Sequence, residues 1–176
     1  LGPPKWDGSP LTGKHVLVTA EQGLGEQIMF SSMIPDLLSE AASVTIECEP
    51  RLDPLFARSF PGANLVHRPF HINESFAQEK MDVQVRLGTL GRLYRSNIEA
   101  FPKHGGYLKV NATAVADLRA RYKEIAGSRR LVGVSWRSQN RHSGWQKSIP
   151  LDQWKPLLVR DEILGVDLQY GNTGAE

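Results

Sequence analysis

An α/β fold built on a parallel sheet is what this sequence predicts, on three observations. Short apolar, β-branched runs at His15 to Ala20 and Val44 to Cys48 are bounded by glycine or polar turns, as buried parallel strands are. Segments of helical period separate such runs, so strand, helix, strand, helix, strand follow in order and call for right-handed crossovers. The same grammar restarts near residue 128, which predicts a second domain opening there.

The elements follow in chain order. Gly13 precedes the first strand and Gln22-Gly-Leu-Gly25 ends it. From Glu26 to Glu40, Ile28, Met29, Met33, Leu37 and Leu38 share one helical face, and Pro35 predicts a kink or a second start. Val44 to Cys48 is a second strand, Leu52 to Phe60 a short helix and Asn64 to His67 a third strand. Phe70 to Lys80 is polar with scattered aromatics. Asp82 to Val85 alternates like a strand, and Leu87 to Arg95 reads as loop or short helix. Residues 112–126 are rich in helix formers, with Val115, Leu118, Tyr122 and Ile125 as one stripe and Gly127 as the stop. Arg130 to Ser135 is a fresh strand and Trp136 to Ser148 a polar loop. Ile149 to Leu158 is a proline-entered helix, with Asp152 as a cap and Pro156 against its continuation, and Gly165 to Tyr170 is a last strand. No repeats or low-complexity segments interrupt the chain.

Composition narrows the function classes. The 176 residues are 40% apolar and 23% charged with a net charge of +2, which fits a folded domain and neither a disordered chain nor a nucleic-acid binder. The single cysteine, Cys48, lies within a strand and reads as a buried thiol, so no disulfide framework is expected. His15, His67, His71 and His142 lack metal-ligand spacing, so no metal is expected. No run approaches the ~20 apolar residues of a membrane helix, no signal peptide opens the chain, and a cytoplasmic location is expected. The missing initiator Met suggests a piece of a longer polypeptide.

Two places can carry chemistry. Glu21-Gln-Gly-Leu-Gly-Glu-Gln27 joins strand to helix, where Gln22, Gly23 and Gly25 let backbone amides approach an anion or hydroxyl. Glu26 stands there as a carboxylate able to take a proton from an attacking hydroxyl, or else as the acidic residue that settles a helix start. The third glycine of the dinucleotide fingerprint and the Gly-Lys-Ser/Thr of a P-loop are both absent, which weakens a dinucleotide-dependent oxidoreductase. The second place is the loop from Ser135 to Ser148. Arg137, Arg141 and Lys147 can clamp a diphosphate there, Ser138 and Ser148 can hydrogen-bond, and Trp136 or Trp145 can stack on a base or sugar. A solvated loop with its tryptophans packed as covers is the alternative.

Taken together, Trp6-Asp-Gly-Ser-Pro-Leu11, Glu21 to Gln27, Val132-Gly-Val-Ser-Trp-Arg137, Lys147-Ser-Ile-Pro-Leu151 and Leu168-Gln-Tyr-Gly171 resemble one family. It is the heptosyltransferase-like glycosyltransferase domain found behind tetratricopeptide repeats in many bacterial proteins. The resemblance implies the GT-B arrangement: two Rossmann-like domains across a cleft, the first holding a hydroxyl acceptor and the second a nucleotide-sugar donor. Residues 1–128 match the acceptor side, and 129–176 match the opening of the donor domain. The family's later part, with the main nucleotide pocket and a glycine-rich turn under the donor phosphates, is not matched, nor are the preceding repeats. Family members carry Gly-Asp after the first glycine turn, where this chain has Gly25-Glu26.

The expected activity is therefore sugar transfer from a nucleotide-sugar to a hydroxyl acceptor, without a metal or other cofactor. Glu26 is the base, the Gln22 to Gly25 amides are an anion cradle, and Trp136, Arg137, Ser138, Lys147 and Ser148 contact the donor. The fragment alone is expected to be inactive. The alternative is a non-catalytic, transferase-like module that binds a glycan or a protein partner. Strands left with open edges near 131–135 and 166–170 predict a homodimer or exchanged segments, in which 130–176 packs on its own first domain or on a neighbour.

Overall fold

In a computed structural model, which describes residues 2–21, 23–67, 81–103, 105–138, 144–171 and 173, the chain divides into two compact units, Leu1–Asn111 and Ala112–Glu176. The sequence places the change near residue 128. The unit boundary falls ahead of the helix beginning at Ala112, so that helix groups with the second pair of strands.

The first unit begins with β1 (His15–Thr19), reached through a β-turn in which Lys14 N–H donates to the Leu11 carbonyl at 2.9 Å. Gly13 occupies that turn at φ 74°, a left-handed conformation that favours glycine. The helical segment after β1 breaks as Pro35 requires. Helix α1 (Leu24–Phe30) gives way to a 3₁₀ turn over Ser31–Met33, and α2 (Ile34–Glu40) restarts with Pro35 in its first turn, where no amide is needed. β2 (Ser43–Cys48), α3 (Asp53–Ser59) and β3 (Ala63–His67) follow, then β4 (Val83–Arg86) and α4 (Thr89–Tyr94). The short helix is thus the form taken within Leu87 to Arg95. Phe70 to Lys80 lies outside the described residues.

All four strands are parallel, in the order β3-β2-β1-β4, giving a Rossmann-like sheet flanked by helices. Side chains alternate across a strand, and the registers align the alternation. Val16, Val18, Val44, Ile46, Cys48 and Val85 share the core cluster with Ile34 and Leu37 of α2, Phe56 of α3 and Leu90 of α4. The intervening positions Thr19, Thr45, Glu47, Gln84 and Arg86 put polar side chains on the other face, beside the buried Leu17. Beyond β4, Lys5 bridges Gln84 in parallel, and Trp6 N–H donates to the Gln84 carbonyl at 2.8 Å.

The second unit starts with α5 (Ala112–Ala126), which Gly127 closes at φ 59°, its N–H reaching the Lys123 carbonyl. Of the predicted stripe, Val115 and Tyr122 are half-buried, while Leu118 and Ile125 are 50% and 47% exposed. β5 (Arg130–Val134) pairs in parallel with β6 (Ile163–Asp167), and between them lie 3₁₀ turns at Trp145–Lys147 and Leu151–Trp154 and the one-turn helix α6 (Lys155–Leu158). The last strand ends earlier than Tyr170 because Gln169 turns back to bond the loop after β5.

Candidate functional site

Strands β1, β2 and β3 step outward in one direction and β4 lies on the opposite side of β1, so chain order reverses between β1 and β4. In open α/β sheets a crevice forms at the carboxyl ends of the strands at such a reversal, where connections diverge to either side. Here the crevice is a cleft of about 880 Å³. Thr19, Ala20 and Glu21 line it from the end of β1, Val85 and Arg86 from the end of β4, Thr89 and Arg92 from α4, and Glu26 from α1. Lys5, Trp6 and Gln84 complete the wall.

Buried polar side chains hold the β1–α1 turn in place. Glu47, on β2, accepts from the Ala20 N–H at 2.9 Å. Gln27 is 2% exposed and spans two strand ends, its Nε2 donating to the Glu21 carbonyl at 3.0 Å and its Oε1 accepting from Glu49 N–H at 3.0 Å. On the other side of β1, Glu21 Oε1 accepts from Gly88 N–H at 2.9 Å and fastens the turn to the start of α4. Burying such groups is costly without partners, so these bonds fix the turn to one geometry.

Glu26 faces this cleft and also caps its own helix, Oε2 accepting from Gly23 N–H at 3.0 Å. It is the reach-back half of a capping box. Gly23 N–H is thereby occupied by the chain's own carboxylate, Gly25 is exposed in the first turn, and Gln22 lies outside the described residues. The cations come from elsewhere: Lys5, Arg86 and Arg92 line the cleft, and sequence reading passed over all three together with Thr89. Their signal was positional, since a short alternating strand ending at Arg86 places whatever follows it at the same sheet edge as Glu21 to Glu26.

The second group is organised within its own unit by Gln169. Its Oε1 accepts from Ser135 Oγ, Trp136 N–H and Arg137 N–H at 3.2, 3.1 and 3.0 Å. Ser148 Oγ accepts from Ser138 N–H at 3.0 Å and donates to the Gly144 carbonyl at 2.6 Å, cinching the loop across its base. Trp136 is buried, whereas Trp145 is 75% exposed and Lys147 is open to solvent. Gln139 to Ser143, Arg141 among them, lie outside the described residues.

Cys48 is fully buried, with its Sγ 3.6 Å from Asp53 Oδ1, while His67 Nε2 is 2.7 Å from Asp53 Oδ2. Burial, reinforced by the Asp53 charge, pushes the thiol up to about 12, so it stays protonated and serves as a small apolar side chain. Among the described residues no His, Cys, Asp and Glu cluster could hold a metal ion, and no helix is long and apolar enough to cross a membrane.

Sheet order, cleft position and lining define the first unit as a Rossmann-like α/β domain with a ligand-sized cleft at its carboxyl edge. The chain is similar to Protein FlbA of Caulobacter vibrioides, 30% identical over 185 aligned positions that cover 98% of this chain. It spans 31% of the length of that relative. No family model matches the chain, and no solved structure matches it.

Proposed function

We propose that the chain is the acceptor side, with the opening of the donor side, of a GT-B type glycosyltransferase of the heptosyltransferase-like kind. The observation that carries this reading is a carboxylate, Glu26, facing a ligand-sized cleft at the sheet's topological switch point. In the reaction the acceptor hydroxyl attacks the anomeric carbon of the donor sugar, and the bond from that carbon to the phosphate oxygen breaks. The nucleoside diphosphate leaves with the bonding electron pair, and the hydroxyl proton passes to Glu26. Within the second unit, Arg137 and Lys147 are the residues proposed to contact a donor diphosphate, with Trp145 available for stacking. The donor is a nucleotide-sugar and no metal takes part.

Glu26→Gln separates this base from a cap. Glutamine keeps an oxygen for Gly23 N–H, so the helix start survives, but it takes up no proton. The intact natural polypeptide is assayed for nucleotide release from uridine, guanosine, adenosine and cytidine nucleotide-sugars. Transfer that falls about a hundredfold or more in Glu26→Gln, with Tm unchanged, supports the reading. Release by neither protein, or equal release by both, sinks it. The hydrogen bond from Gly23 to Glu26 favours a second reading, a non-catalytic module in which Glu26 only caps α1. That reading predicts glycan or protein binding without turnover.

A further inference from the structure

The charges in the cleft are unevenly committed. Each of its carboxylates already engages a backbone amide, Glu21 with Gly88 and Glu26 with Gly23. The side chains of Lys5, Arg86 and Arg92 make no hydrogen bond or ion pair among the described residues. The other described arginines of this unit behave differently. Arg95 grips Asp36 with both guanidinium nitrogens, Arg51 meets Glu49, and Arg58 reaches the Lys109 carbonyl. Among the described arginines of this unit, those whose side chains lack a protein partner are thus the two that line the cleft.

Placement gathers these cations on one side. Arg86 closes β4 opposite Thr19, two residues beyond Gln84 and so on the same sheet face, and Lys5 bridges Gln84. Thr89 and Arg92 lie three apart on α4, hence on one helical ridge. The carboxylates come from the opposite wall, the β1–α1 turn. A guanidinium recognises a carboxylate or a phosphate oxygen pair equally by paired N–H donors, and a hydroxyl-bearing ring satisfies Thr89 and the free carboxylate oxygens. A cleft of about 880 Å³ holds a ligand of one or two sugar rings.

We propose that this cleft takes an anionic sugar, with the acid group held by Arg86 and Arg92, Lys5 at the rim, and a hydroxyl directed to Glu26. That this sugar is the acceptor rests on the transferase reading above; its binding does not.

The test is an amide NMR titration of the 176-residue chain at low salt with glucuronate, glucose 6-phosphate and neutral glucose, repeated with Arg86→Gln/Arg92→Gln. Both substituted side chains are exposed, and an otherwise unchanged spectrum confirms folding. At least one acid sugar shifts the Thr19 to Glu21 and Arg86 to Arg92 amides, glucose does not, and the double variant weakens binding about tenfold or more. The arm that responds identifies carboxylate or phosphate as the recognised group. Equal shifts with glucose, unchanged affinity in the variant, shifts confined to other residues, or no shift by either acid sugar overturns the proposal. Acid-sugar binding retained in Glu26→Gln without any turnover by the intact polypeptide removes the transferase reading and leaves the anion site. Turnover without acid-sugar binding does the reverse.

Discussion

The first unit buries its own apolar surface, and the second leaves much of its apolar surface in solvent. In the first, one face of a four-stranded sheet is sealed by α2, α3 and α4, and Val16, Val18, Ile34, Leu37, Ile46 and Phe56 have no exposure. In the second, the buried apolar side chains are Ala126, Val134 and Trp136, while Leu131, Ile149, Leu168 and Tyr170 stand 45% to 63% exposed. A two-stranded parallel sheet has two open edges and too little area to exclude water from both faces. The second unit is therefore held mainly by directional bonds, those of Gln169 and Ser148, where the first is held by packing.

The sharpest test of the contrast is a pair of truncations. Phe56→Ala should cost about 3–5 kcal/mol in urea unfolding, and Leu131→Ala less than about 1 kcal/mol in dilute monomeric protein. Equal costs would show that the second unit has a packed core after all. Next in size, Gln169→Ala removes the common acceptor of three donors and should cost about 2 kcal/mol, with faster exchange at the Trp136 and Arg137 amides. Unchanged exchange there would mean that packing, not Gln169, sets the loop.

A smaller effect is confined to high pH. The Cys48 thiol is raised from 9.0 to about 12 in the folded chain, so its contribution is complete below pH 9 and fades as pH rises toward 12. Urea unfolding should show that loss between pH 9 and 12, and Cys48→Ala should flatten that part of the pH profile. Smallest are two glycine substitutions. A Cβ on Gly133 would meet Leu168 Cδ1, the end of a side chain 63% exposed and free to swing, so Gly133→Ala should change stability by under about 0.5 kcal/mol. A Cβ on Gly88 would lie 2.9 Å from Glu21 Oε1, itself bonded to Gly88 N–H, and Gly88→Ala should cost about 1 kcal/mol. Thermal unfolding of both variants measures the difference.

Much of the first unit was legible because its signals are local. The short apolar run Val44 to Cys48 marks a strand, and Pro35 marks the helix restart. The site was legible only in its glycine turn. Glu26 bonding Gly23 is a local contact at the start of α1, but that Arg86 and Arg92 would line a cleft with Glu21 depends on β4 pairing with β1 across a long separation in sequence. No local pattern encodes that pairing. In the second unit, the helical period of Val115 to Ile125 located α5 but said nothing of whether a neighbour covers its stripe.

By itself, then, the sequence determined which segments become strands and helices, that the strands run parallel, and that a glycine turn with a carboxylate closes the first strand. Period, proline and glycine are read within a few residues and suffice for that. Tertiary structure decided the strand order, and with it the switch point between β1 and β4 and the cations of the cleft. The reason is that these depend on which edges meet in space, and that choice is made by the burial of whole faces rather than by any neighbouring residue.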